Sequence, residues 1–241
     1  MKKKILFILS LLISYTIFSQ NTIDLNKILS QLHLTKEQCA TGMTVSKKLP
    51  YSKNETIVVI PEIVKEDEME AEYHGYILIV DSNTNKIKSK YFQSSYWTSD
   101  ALIFSTITID TAPYILSKNQ RAFAIRSSFY TQSKPNPYST ETLTLFLKND
   151  QKLTPILDQF TSKEYVGEWD MQCDGWSVNE EQFLIVSKNK TNDFFDIVIN
   201  TKITNRKTST NDSDECVDDE KTSYQKSILK FNGTVYKQQN N

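Results

Sequence analysis

From residue 55 to the C-terminus one pattern recurs: a run of β-branched or aromatic residues, then a cluster of turn-formers. Thr56-Ile57-Val58-Val59-Ile60 is β-branched throughout. Tyr76-Ile77-Leu78-Ile79-Val80 runs into Asp81-Ser82-Asn83-Thr84-Asn85, and Ile87 to Phe92 follows. Leu102 to Ile109 and Ala122 to Ser127 flank the break Ser117-Lys118-Asn119-Gln120. Leu143, Leu145 and Leu147 alternate with Thr142, Thr144 and Phe146 ahead of Asn149-Asp150. Phe183 to Val186, then Phe195, Ile197 and Ile199, flank Asn189 to Asn192. Branched side chains crowd a helical turn but suit a pleated, half-buried surface, so these runs read as strands. Ile228-Leu229-Lys230-Phe231, Asn232-Gly233, Thr234-Val235-Tyr236 predicts a hairpin closed by a two-residue type I′ turn, which Asn-Gly favours.

The fold class is therefore all-β, mainly antiparallel hairpins or a meander. Turn clusters fall roughly 30 to 40 positions apart, an interval also found between propeller blades. No residue motif repeats at that interval, and five Gly is a low count for tightly turning blades. A two-sheet sandwich or partly closed sheet is the leading architecture, with a propeller-like ring as the alternative.

Helix is expected only near the N-terminus, over about residues 24–41. Leu25, Ile28, Leu29 and Leu32 fall at helical spacing behind Thr22 or Asp24 as a cap, and the stripe should rest on the β body. Thr35-Lys36-Glu37-Gln38 has capping-box form and Gly42 suits a helix end, predicting a second short helix past His33-Leu34. Ahead of it, Lys2, Lys3 and Lys4 precede the apolar run Ile5 to Phe18, with Ser19-Gln20 at a cleavage point. That order is a secretory signal peptide over residues 1–19, too short an apolar run for a bilayer core of about twenty residues. No cysteine at the junction marks a lipoprotein. Residues 20–241 are then a single secreted or periplasmic β-rich domain with no membrane span.

Export makes disulfides possible. Cys173 and Cys216 lie in similar acidic turns, Asp170-Met171-Gln172-Cys173-Asp174-Gly175 and Asp214-Glu215-Cys216-Val217-Asp218. They are expected to pair, leaving Cys39 free and buried in the second helix. Two loops are expected to be exposed: Thr131 to Thr140, with two prolines, and Thr204 to Thr222. The second carries Asp212, Asp214, Glu215, Asp218, Asp219 and Glu220, and lacks the apolar content to order itself.

Composition excludes several functions. A net charge of −1 gives no basic face for nucleic acid. Two histidines, His33 and His74, lie far from any other metal ligand and leave a Ser-His-Asp site without a supported base. The acidic residues do not follow calcium-loop spacing, and Asp81 to Asn85 reads as turn chemistry. No Gly-rich phosphate loop is present, so no metal or cofactor is expected. Arg121 and Arg126, five apart, face opposite ways on a regular strand and form no anion clamp.

Two aromatic-polar knots remain. Glu168-Trp169-Asp170 and Asp174-Gly175-Trp176 place two indoles among three carboxylates, and Tyr96-Trp97-Thr98-Ser99-Asp100 is a second knot. Indole faces bind sugar rings or partner side chains, and carboxylates accept hydroxyl hydrogen bonds. Trp169, Trp176, Asp170, Asp174, Tyr96 and Trp97 are the candidate ligand-binding residues, with Trp176 expected to be slightly more exposed than Trp169. The expected function is a non-catalytic domain binding a protein or glycan of the cell envelope. The alternatives are a structural envelope-assembly component docking through its N-terminal helices, and a carboxylate-dependent hydrolase using Glu168, Asp170 or Asp174.

Overall fold

The computed structural model describes residues 23–238. The targeting segment expected over residues 1–19 lies outside the described residues. Among the described residues one α-helix, α1 (Leu25–Leu32), is followed by a 3-10 turn, Thr41–Met43, and twelve strands. These are β1 (Val45–Lys48), β2 (Glu55–Glu66), β3 (Ala71–Asp81), β4 (Ile87–Ser99), β5 (Ile103–Ser117) and β6 (Gln120–Tyr130). Then come β7 (Tyr138–Asn149), β8 (Lys152–Trp169), β9 (Gly175–Thr191), β10 (Phe194–Thr210), β11 (Cys216–Phe231) and β12 (Tyr236–Gln238).

The strands form an antiparallel meander. Each pairs with its neighbour in sequence except at the step from β4 to β5. There the chain leaves the first four strands, and β4 meets the rest through one parallel pairing, Lys90 opposite Lys152 on β8. The result is one branched sheet folded into layers rather than a ring of separate blades.

Alternation of side chains sorts the apolar residues into three clusters. Ile57, Val59, Ile77 and Ile79 of β2 and β3 face Ile107, Ile109, Phe123, Ile125 and Phe146 of β5–β7. The other side of that middle layer, with Leu116, Ala122, Ala124, Leu143 and Leu145, faces Ile197, Ile199, Leu229 and Phe231 of β10 and β11. The middle strands are buried on both faces, so they read as continuous apolar runs. The third cluster places Val58, Ile60, Leu78 and Val80 under Ile28, Leu29 and Cys39.

The helix docks as its stripe predicts, with Ile28 and Leu29 buried and Leu25 and Leu32 packed beside them. Asp24 caps it by accepting from Lys27 N at 3.3 Å. Gln31 fixes its far side by donating to Asn85 O at 2.9 Å and accepting from Ile87 N at 3.0 Å. His33, with φ 58°, ends it. The second helix does not form. Thr35 N does donate to Gln38 Oε1 at 2.8 Å, which is half of a capping box. The chain is then drawn onto β2, where Cys39 bridges Glu62 and Ala40 N donates to Pro61 O at 2.9 Å. Backbone pairing to a strand that needs a neighbour outcompetes one isolated helical turn. Cys39 is free and buried. Burial, followed by the Glu62 charge, pushes its thiol pKa up to about 11.

Two further expectations are corrected. Asn232-Gly233 does not make a two-residue turn: Phe231 pairs with Tyr236 across a four-residue loop. Asn232 Oδ1 accepts from Thr234 N and Val235 N, and Gly233 alone takes positive φ, at 100°. Asparagine therefore closes the loop through its side chain instead of a left-handed backbone. Second, Thr204 to Thr222 is ordered hairpin rather than loose loop: β10 runs to Thr210 and β11 starts at Cys216. Apolar burial is not the only route to order. Here a backbone ladder and cross-strand pairs supply it, with Arg206 opposite Glu220 and Lys207 opposite Asp219.

Candidate functional site

The far halves of β8–β11 extend as a four-stranded arm, exposed along all of β11 from Cys216 to Lys226. Two turns form its tip. In the first, Asp170 Oδ1 accepts from Gln172 N at 2.8 Å and Cys173 N at 2.9 Å. In the second, Asn211 Oδ1 accepts from Ser213 N and Glu215 N. Cys173 and Cys216 bridge the turns as a disulfide, with Cα atoms 5.6 Å apart. Asp174 Oδ1 adds a second tie by accepting from Thr210 N at 3.1 Å. The pairing expected from the two acidic contexts is present, and it locks the tip.

Directly opposed residues share a sheet face, so the register resolves the tip into two rows. One face carries Trp169, Gly175, Thr208 and Asp218 side by side across the four strands; the other carries Glu168, Trp176, Lys207 and Asp219. The two indoles therefore lie on opposite faces and do not form one platform. Trp169 is 41% exposed and Trp176 46%. Gly175 makes room for the first: a Cβ there would stand 3.2 Å from Trp169 Cδ1 and 2.7 Å from Glu168 O.

On the Trp169 face, a cleft of about 410 Å³ is lined by Pro137, Tyr165, Trp169, Arg206, Thr208 and Asp218. Arg206 forms an ion pair with Asp218, and Thr208 Oγ1 donates to the same carboxylate at 2.8 Å. The Arg206 guanidinium, followed by that hydroxyl, holds the Asp218 carboxyl below its ordinary range. On the Trp176 face, the indole Nε1 donates to Glu168 Oε2 at 3.4 Å, and Lys207 is its opposed residue on β10. Each face thus offers an aromatic surface flanked by charged hydrogen-bonding groups, which is the chemistry that holds a sugar ring or a polar peptide.

The expected loop around residues 131–140 contributes to this site. It is shorter than expected, ending at Pro137 where β7 begins. Pro135 O accepts from Trp169 N at 2.7 Å and Pro137 O from Gly167 N at 3.0 Å, so the loop covers the edge of β8. The proline composition gave no hint of that role.

The other knot is corrected. Tyr96 is 7% and Trp97 2% exposed, inside the first core cluster. Trp97 stacks on Phe104 and donates to Ser127 Oγ at 2.7 Å, and Tyr96 OH donates to Thr144 Oγ1 at 3.0 Å. Both polar tips are satisfied inside, so these residues anchor β4 to the middle layer and offer no face to a ligand. Of the carboxylates considered for hydrolysis, Asp170 and Asp174 bind backbone N–H groups at the tip and Glu168 accepts from the Trp176 indole. Asp170 and Asp174 are thereby engaged in holding the two turns in place.

Arg126 has the role least visible in the sequence. It donates to Asp110 Oδ2 at 2.9 Å and to Glu141 Oε1 at 2.7 Å. Ser162 Oγ donates to Glu141 Oε1 at 2.8 Å and Tyr114 OH to Asp110 Oδ2 at 2.9 Å. The half-buried guanidinium is neutralised by two carboxylates brought to it by the fold, so it forms no anion clamp. His74 is likewise structural, accepting from Ser95 N at 3.1 Å. Among the described residues no cluster of three or more His, Cys, Asp or Glu could hold a metal ion. No helix among them is long and apolar enough to cross a membrane. Comparison with protein-family models, curated proteins and solved structures finds no match.

Proposed function

We propose that this is an exported, non-catalytic β domain that binds a glycan or protein of the cell envelope through the tip of its arm. The observation that carries the reading is the contrast among the three tryptophans. Trp97 is buried with its N–H satisfied, whereas Trp169 and Trp176 stand half-exposed on a tip locked by a disulfide and two proline carbonyls. Holding large aromatic groups in water on a rigid support favours recognition, because little ordering entropy remains to be lost on binding. Export is supported by the basic-apolar N-terminal sequence and by the disulfide. The assembly alternative loses its main support, since the apolar stripe of α1 is covered by the chain's own β2 and β3.

The experiment is titration of soluble envelope oligosaccharides and purified envelope proteins, read by tryptophan fluorescence and calorimetry. Trp169→Ala or Trp176→Ala should weaken binding by roughly tenfold or more with an unchanged far-ultraviolet spectrum. Wild-type affinity in both variants rejects the tip as the site, and loss of folding assigns the indoles a structural role. The N-terminus of protein recovered from the periplasm or medium should begin at Gln20. A protein retaining Met1 would reject export by cleavage.

A further inference from the structure

β11 has β10 on one side from Cys216 to Leu229, but β12 covers its other side only at Leu229–Phe231. Among the described residues its outer edge is therefore unpaired from Cys216 to Ile228, a length of about 40 Å at strand rise. Proteins commonly blunt such an edge with charge, because free N–H and C=O groups recruit any strand. Asp218, Asp219, Glu220, Lys221 and Lys226 supply charge here, but their order does more than repel.

We infer that this edge pairs antiparallel with the same edge of a second copy, about a two-fold axis through Thr222. The register follows by elimination. A two-fold axis normal to the sheet sets each residue opposite one on the same face, so it passes through a residue position. At Asp219, Glu220 or Lys221 it would set like charges directly opposite each other. At Ser223 it would set Glu220 opposite the partner's Lys226 but also Val217 opposite the partner's Leu229, whose edge is already taken by Gln238. At Thr222 it sets Asp218 opposite the partner's Lys226, twice by symmetry, with Glu220 opposite the partner's Tyr224 and Lys221 opposite the partner's Ser223. Lys226 has no ion-pair partner among the described residues of its own chain, and the dimer supplies one. Tyr224, 75% exposed, beside the exposed Phe183, Ile185 and Ile228 on the same face, gains cover from the incoming strand. The charges thus reject the registers centred on Asp219 to Lys221, and the edge already occupied by β12 at Leu229 decides for Thr222.

An edge seam is a small interface, so the dimer is concentration-dependent, and sedimentation equilibrium up to roughly 1 mM covers its range. The protein should shift from monomer to dimer. Lys226→Glu, which sets an acid against Asp218 at both symmetric positions, should weaken association by roughly tenfold. Thr222→Cys should give a disulfide-linked dimer on mild oxidation, because residues opposed across the axis have Cα atoms about 4.5–5.5 Å apart. Thr204→Cys, one strand inward, should not crosslink. A protein that stays monomeric throughout, with no Thr222→Cys crosslink, overturns the proposal. So does a dimer that Lys226→Glu leaves unchanged, or an edge that takes up an unrelated extended peptide while the protein remains monomeric.

Discussion

Arg126 lies on the middle layer with about a fifth of its side chain exposed, between the carboxylates of Asp110 and Glu141. Replacing it with Met fills similar space but leaves two acids facing each other. A cost of about 2–3 kcal/mol is expected, below the range for fully buried pairs because water reaches part of the cluster. Burial raises the Asp110 pKa, but the Ala112 N–H, then Arg126 and Tyr114, outweigh it and hold the carboxyl below its ordinary value. A depressed folded-state pKa adds stability that is complete above the unfolded carboxylate value of about 3.9 and is lost as pH falls through the lower folded value. Urea midpoints at pH 7 and pH 2.5 should therefore differ less for Arg126→Met than for the native chain. Gly75 meets a different constraint. A methyl there would stand 2.6 Å from Tyr96 Cδ1, where the β4 bulge around Ser95 turns the ring over β3. Gly75→Ala should destabilise by about 1–3 kcal/mol through overpacking, read from the same urea curves.

The arm separates elements that composition describes from elements that pairing creates. α1 is legible because Leu25, Ile28, Leu29 and Leu32 carry their own period. The strands of the two cores are legible because β-branched runs mark them. Thr204 to Thr222 is legible only at its disulfide, because the rest of its order comes from backbone ladders, to β9 on one side and within its own hairpin, that a polar composition does not announce. Cys216→Ser should release that constraint locally. Hydrogen exchange should show faster amides in Thr204 to Thr210 and Cys216 to Tyr224, with Ile125 and Leu145 unchanged. Equal acceleration in the core would show instead that the bridge stabilises the whole molecule.

The two β cores share one middle layer, so neither can be dismantled without exposing the other. Phe146 and Leu145, adjacent in β7, point into different clusters. Melts followed by near-ultraviolet dichroism, which reports side chains such as Trp97 and Tyr96, should coincide with far-ultraviolet melts of the strands. Two separated transitions would mark the layers as independent units. This stacking is the part of the architecture that local pattern could not convey. Alternation marks two faces of a strand, but Ala122 to Ile125 and Leu143 to Leu147 are apolar on both. Such a run specifies burial without saying which layer lies on each side. The tip shows the same limit. The indoles and carboxylates were legible as candidates, whereas their division between opposite faces depends on the register that sets Trp169 against Gly175.

Because the meander joins each strand to the next, nearly all its ladders close over short stretches of chain, leaving Lys90 opposite Lys152 as the long excursion. Local closure costs little loop entropy and favours fast assembly for a β protein. A chain delivered N-terminus first could complete its first four strands and helix before the arm has emerged. The disulfide must wait for Cys216, so oxidation would act as a late latch on an already folded body. A refolding chain held reduced should then regain its near-ultraviolet spectrum at the native rate and acquire a protected tip only when oxidant is added.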